Sequence, residues 1–185
     1  RVMRITINRE ERRNAINPDL VNAIVAALDQ AQGDREIRVI VLTGAGSKAF
    51  CSGADLQSGA SFQHDHSEPT VPFANLARKV RQLNVPLVAR VNGACMAGGI
   101  GLLSMCDMAV ASDHAIFGLP EVKVGVFPSQ VLSVLQHLIP RRVLNEMCIT
   151  GEPITAIDAK AIGLVNYVSD DLDGKPTWLL DRILD

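Results

Sequence analysis

The chain has 185 residues, of which 48% are hydrophobic and 21% charged, and its 18 basic and 20 acidic residues leave a net charge of −2. That is enough apolar chain for one domain with a sizeable core, and it excludes a disordered polypeptide. No long basic block is present and every apolar run is broken by charge or glycine short of membrane-spanning length, so neither nucleic acid nor a membrane is expected as a partner.

Met3, Ile5 and Ile7 alternate with Arg4, Thr6 and Asn8, which predicts a strand over Val2 to Asn8. Arg1 enters this strand directly and the chain stops inside a predicted helix, Thr177 to Leu184, so the sequence reads as a fragment with no signal segment at its start. The charged run Arg9-Glu10-Glu11-Arg12-Arg13 is expected on a solvated face. Asn17-Pro18 is a helix start, with Asn as cap and Pro at the first helical position. Leu20, Val21, Ile24, Val25 and Leu28 mark its apolar face, and Gly33 is expected to close it. The β-branched run Ile37 to Thr43 predicts a strand covered on both faces. Gln57 to Pro72 reads as a polar loop, Phe73 to Leu83 as a helix, and Pro86 to Val91 as the next strand. Met108–Ala111 and Ala115–Phe117 predict short strands, Pro128–Leu138 and Arg141–Thr150 helices. Thr155–Ile162 predicts a short helix after the turn Gly151-Glu152-Pro153, and Gly163 to Val168 leads into a last strand. Strand and helix alternate without a linker, which makes the class α/β.

The most informative stretch is Val91-Asn92-Gly93-Ala94-Cys95-Met96-Ala97-Gly98-Gly99-Ile100-Gly101, between a predicted strand and the helix-like run Leu102 to Cys106. Small residues there let another group approach the backbone, and the first N–H groups of a helix lack partners, so the corner suits an anion or a developing oxyanion. A second small-residue corner, Gly44 through Leu56, follows the upstream strand, and the pair suggests two backbone donors facing one oxygen. Either corner alone is equally well a packing turn. Gly44-Ala45-Gly46-Ser47-Lys48-Ala49 matches the dinucleotide pattern G-x-G-x-x-A, but Phe50-Cys51-Ser52-Gly53 does not continue as the helix that pattern requires. No G-x-S-x-G elbow and no phosphate-binding loop is present. His64-Asp65-His66 lacks a third ligand, and Cys51, Cys95, Cys106 and Cys148 show no Cys-x-x-Cys spacing. No metal is therefore expected, and a reduced compartment is: the cytoplasm, or the mitochondrial matrix in a eukaryote.

Several motifs in order carry a resemblance: Asn14-Ala15-Ile16-Asn17, Ala49-Phe50-Cys51-Ser52-Gly53-Ala54-Asp55-Leu56, Val91 through Gly101, Cys106-Asp107, Phe117-Gly118-Leu119-Pro120-Glu121 with Gly125, Thr150-Gly151-Glu152-Pro153-Ile154, Ala159-Lys160-Ala161 and Ile162-Gly163-Leu164-Val165. Together they resemble the crotonase (enoyl-CoA hydratase/isomerase) superfamily over nearly the whole chain. The resemblance implies a spiral of ββα units, a homotrimer or dimer of trimers, helices beyond this C-terminus, and acyl-CoA thioester substrates with no cofactor besides the coenzyme A of the substrate.

By position in the family motif the oxyanion donors are the N–H groups of Ala54 and Gly98, and the acid/base is Glu121. Each such donor is worth roughly 3 kcal/mol in other oxyanion holes. Ser52, Gly53, Asp55 and Leu56 are expected along the adenine and pantetheine arm, with Gly99, Gly101, Pro128 and Ser129 completing the substrate-binding set. Ser129 and Gln130 orient water or a polar acyl group, or they cap the next helix. The departure from the family pattern is Gly101, where typical hydratases carry a second glutamate. Enoyl-CoA hydratase is the leading expectation. A shift of a 3-enoyl to a 2-enoyl ester is the alternative, because one carboxylate can carry a proton from C2 to C4. A non-catalytic acyl-CoA-binding member is the rival from another class, since fold alone does not settle function.

Overall fold

A computed structural model of the chain describes residues 1–55 and 71–185. The elements are β1 (Val2–Ile7), a 3-10 turn (Glu10–Arg12), α1 (Pro18–Gly33), β2 (Val39–Gly44), β3 (Ala49–Cys51), α2 (Pro72–Val80), β4 (Leu87–Val91), β5 (Ala94–Met96), α3 (Gly98–Ser104), β6 (Met108–Ser112) and β7 (Ile116–Gly118). A 3-10 turn (Pro120–Val124), α4 (Ser129–Leu135), α5 (Arg141–Thr150), β8 (Ile154–Thr155), α6 (Ala156–Ala161), β9 (Tyr167–Ser169) and α7 (Gly174–Leu184) follow. The expected loop Gln57–Pro72, His64-Asp65-His66 and Leu56 lie outside the described residues, except for Val71 and Pro72, the latter opening α2.

Two sheets are built. The larger has the order β1-β2-β4-β6-β9 with every pair parallel. The smaller has the order β3-β5-β7-β8, parallel except for the last pair. Three successive units, β2-β3-α2, β4-β5-α3 and β6-β7-α4, each give one strand to the large sheet, the next to the small sheet, and then a helix. This is the spiral of ββα units that the resemblance implies.

The local chemistry follows the expectations at most elements. Asn17 caps α1 by accepting from the Leu20 N–H at 2.9 Å, and Val21, Ile24, Leu28 and Ala31 are its buried stripe. All six residues of β2 are buried, as a strand covered on both faces requires. Ile40 and Leu42 face the main core, while Val39 joins Val88, Val110 and Leu179 in a smaller cluster beneath α7. Two expectations are corrected. Gly33 ends α1 without entering the left-handed conformation, and Asp34 closes the helix instead by donating to the Ala31 carbonyl. The helix expected from Leu102 begins at Gly98, after a short strand, β5.

Two buried asparagines tie the units together. Asn92, 3% exposed, accepts from the Gly44 N–H at 2.9 Å and donates to the carbonyls of Gly46 at 2.7 Å and Ala49 at 3.2 Å. Asn14, fully buried, donates to Ala49 at 2.7 Å and Ala45 at 3.0 Å, and its side-chain oxygen accepts from the Arg9 N–H. They satisfy the backbone of the non-repetitive link between β2 and β3, which would otherwise be buried without partners. Asn92→Leu is expected to lower stability by about 2–4 kcal/mol, because several buried groups lose their partners at once. Urea unfolding measures it, and a loss below about 0.5 kcal/mol would show that this link does not depend on the amide.

Candidate active site

The corner after β5 turns on Ala97, whose backbone (φ 50°, ψ −122°) is left-handed although the residue carries a side chain. Such a conformation costs roughly 1–3 kcal/mol and persists only where neighbours enforce it. Here the Ala97 N–H donates to the Gly118 carbonyl at 2.9 Å, and its carbonyl accepts from Ile100 at 2.9 Å. The turn delivers Gly98 as the first residue of α3, where an amide has no helical carbonyl to donate to. The corner after β3 places Ala54 in a single parallel bridge with Ile16. The Ile16 N–H donates to Gly53 at 2.7 Å and the Asp55 N–H donates to Ile16 at 2.8 Å, so the amide of Ala54 points away from that neighbour.

The two corners touch. A Cβ added to Gly53, whose φ is +94°, would stand 2.7 Å from the Ala97 Cβ and 3.3 Å from the Gly98 nitrogen. A Cβ added to Gly98 would stand 3.1 Å from Ile16 Cδ1 and 3.8 Å from the Ala54 nitrogen. A Cβ on Gly99 would fall 2.4 Å from the Cys51 carbonyl oxygen. The missing side chain of Gly99, a residue expected in the substrate-binding set, allows α3 to seat closely on β3.

Glu121 reaches the same end of the small sheet. β7 pairs with β5 in the register Met96↔Gly118, and the 3-10 turn carrying Glu121 starts two residues beyond Gly118. Gly125 closes that turn in the left-handed conformation, and the Glu121 carbonyl accepts from Val126 at 3.1 Å. Glu121 Oε2 is buried and has no hydrogen-bond partner among the described residues. Burial pushes its carboxyl above the ordinary value, against a smaller lowering by its own backbone hydrogen bond. Cys148 of α5 lies near enough for the Glu121 charge to raise its thiol further, after burial has done so.

The remaining expected residues divide. Ser52 is occupied locally, donating by its backbone to Arg13 and by its hydroxyl to Arg12. Asp55 accepts from Arg9 Nη2 at 2.9 Å in an ion pair whose side chains are only 13% and 23% exposed, and Arg9 Nη1 donates to the Ala15 carbonyl at 2.6 Å. Arg9 thus departs from the expected solvated face, while Glu10 to Arg13 are exposed. Pro128 is buried and Ser129, exposed, is the first residue of α4, with no side-chain cap there, which removes the capping alternative for Ser129. Gly101 is buried, and the place of its absent side chain is filled by the Phe73 ring, with Cζ at 2.5 Å from where a Cβ would be. Asp107 holds the start of β4: its side chain accepts from the Leu87 N–H at 2.7 Å and its own N–H donates to the Leu87 carbonyl at 2.8 Å. Sequence reasoning gave no signal for Phe73, for the left-handed Ala97, or for Cys148 beside Glu121.

Among the described residues no three His, Cys, Asp or Glu side chains are grouped to hold a metal ion, all four cysteines are free, and no helix is long and apolar enough to cross a membrane. Cys51 is fully buried, which pushes its thiol up to about 12.

Comparison with known proteins gives a consistent result. A sequence model of the enoyl-CoA hydratase/isomerase family matches residues 1–178. The chain is 37% identical over 174 residues to the enoyl-CoA hydratase EchA19 of Mycobacterium tuberculosis, covering 90% of this chain and 64% of that protein. The crystal structure of an enoyl-CoA hydratase from Bacillus anthracis superposes with a TM-score of 0.90 at 33% identity, covering 99% of this chain and 72% of that one. Human enoyl-CoA hydratase domain-containing protein 3 superposes with a TM-score of 0.91 at 30% identity, covering 98% and 73%. The chain spans about two thirds of the length of the curated relatives it matches. By sequence, by fold and by the order of its motifs, the chain belongs to the enoyl-CoA hydratase/isomerase family.

Proposed function

We propose that this chain acts on an enoyl-CoA thioester through an enolate, with hydration of a 2-enoyl ester as the reaction. The observation that carries the reading is the convergence of the Ala54 and Gly98 amides from two different ββα units. Two preset N–H donors stabilise the oxygen of a thioester as it takes up negative charge, and they need no reorganisation to do so. Glu121 is the acid/base. Its carboxylate takes a proton from water as the water oxygen bonds to C3, and the C2=C3 electron pair moves toward the thioester oxygen. As the enolate collapses, the same group returns the proton to C2. The raised carboxyl pKa brings proton affinity closer to neutrality, as a group that both takes and gives a proton requires.

Isomerisation is the second reading, and the Phe73 ring in the place of a Gly101 side chain favours it. Glu121 then removes a proton from C2 of a 3-enoyl ester, the electron pair enters the enolate, and the proton returns at C4 as the double bond moves to C2=C3. This path needs no ordered water and no second carboxylate.

Incubation of the full protein with 2-enoyl-CoA and 3-enoyl-CoA in heavy water, followed by mass analysis, separates the two. Gain of water by the 2-enoyl ester supports hydration, deuterium uptake with a moved double bond supports isomerisation, and no change in either ester sinks both. Glu121→Gln is expected to reduce either turnover by at least about 10³-fold while acyl-CoA binding persists. A folded carboxyl pKa above the unfolded one means that stability is lost as pH rises between the two, so the ionised Glu121 destabilises the native state near neutrality. The Glu121→Gln variant is therefore expected to melt no lower than the parent at pH 7, and the acid limb of the parent's pH–rate profile is expected above the ordinary carboxylate range. Unchanged turnover in the variant would remove Glu121 from the mechanism.

A further inference from the structure

The helices α2, α3 and α4 each follow a strand of the parallel part of the small sheet, and α3 packs along α4. Gly98, with its free amide, stands at the top of α3. One turn on, Gly101 meets Phe73 of α2 and Val131 of α4: the position of its missing Cβ is 2.5 Å from Phe73 Cζ and 3.4 Å from Val131 Cγ2. A further turn along the same helices lie Ala77, Ser104, Met105 and Val134, and these line a cleft of about 250 Å³ to which Arg81 and His137 also contribute. The hydroxyl of Ser104 is buried there without a partner among the described residues. The Phe73 ring thus stands between the thioester corner and a mostly apolar cleft on the same helical face.

We propose that Phe73 sets the length of acyl chain this protein accepts. The inference rests on the reading of Gly98 and Ala54 as the thioester site. From Gly98 to Gly101 the helix rises about 4.5 Å, room for an acyl chain of roughly four carbons before it meets the ring. With the ring removed, the chain continues for about another helical turn into the cleft beside Ser104, which takes roughly four more carbons. The occupant of the cleft is then the distal, apolar part of the acyl chain. Phe73 is what occupies the space beside Gly101.

The test is calorimetric binding of unreactive saturated acyl-CoAs, butanoyl to decanoyl, to the parent protein and to Phe73→Ala. The parent is expected to gain nothing in affinity beyond butanoyl. The variant is expected to bind octanoyl-CoA at least about tenfold tighter than the parent does, with butanoyl-CoA within threefold, since each newly buried methylene adds about fourfold in favourable cases. Adding Ala77→Trp, which fills the cleft from α2, is expected to abolish the gain. Phe73→Leu, which keeps an apolar side chain against Gly101, supplies an intermediate length profile if the alanine variant does not fold. An unchanged length profile in both Phe73 variants, or a gain that survives Ala77→Trp, overturns the proposal. Failure of the parent to bind even butanoyl-CoA overturns the thioester assignment beneath it.

Discussion

Everything at this site depends on how closely two backbone segments from successive ββα units approach one another. Where α3 starts, a methyl group on Gly99 would collide with the Cys51 carbonyl, and one on Gly53 would collide with the Ala97 side chain. Backbone lies close against backbone, with only the Ala97 methyl and the tip of Ile16 beside the contact. That contact puts the amides of Gly98 and Ala54 within one small volume and also forces Ala97 into a left-handed conformation that alanine does not favour. The strain is held by the pairing of β5 with β7, by the Asn92 bonds to the link below β2, and by the Arg9–Asp55 ion pair on the other side of Ala54. Removing a partner from such a partly buried pair leaves an uncompensated charge, so Arg9 acts on the corner as a brace.

The carboxylate proposed as acid/base is treated in the opposite way. Glu121 sits on a short 3-10 turn with one carboxylate oxygen buried and unpartnered among the described residues, in a protein that satisfies its buried asparagines fully. An unpaired buried carboxylate destabilises the fold and raises its own pKa, and both effects follow from the same loss of water. Structural logic alone offers no reason to keep it there, whereas proton transfer at carbon does. With Phe73 over Gly101, the neighbourhood in which a second carboxylate would stand is apolar, so Glu121 has no acidic neighbour from α3.

Much of this was legible in the chain. The alternation of Met3, Ile5 and Ile7, the Asn17-Pro18 start and the continuous run of β2 each report a local rule with one strong solution. The small-residue corners were legible as places of close approach, and the family through the order of its motifs. Strands of two or three residues such as β3, β5 and β8 were not, because a period of two has no room to repeat. Arg9 was hidden inside a charged run whose other members are solvated, and its partner Asp55 lies forty-six positions away. The role of Phe73 depends on which helix lies beside Gly101, which no local pattern encodes.

The central claim is that two backbone donors polarise a thioester oxygen between Ala54 and Gly98. Isotope-edited infrared spectroscopy of a saturated acyl-CoA carrying ¹³C at its thioester carbonyl, bound to the full protein, reads that polarisation directly. The account predicts a carbonyl band moved to lower frequency than in water, because two fixed donors replace mobile solvent. A band at its solution position in the saturated complex would contradict it.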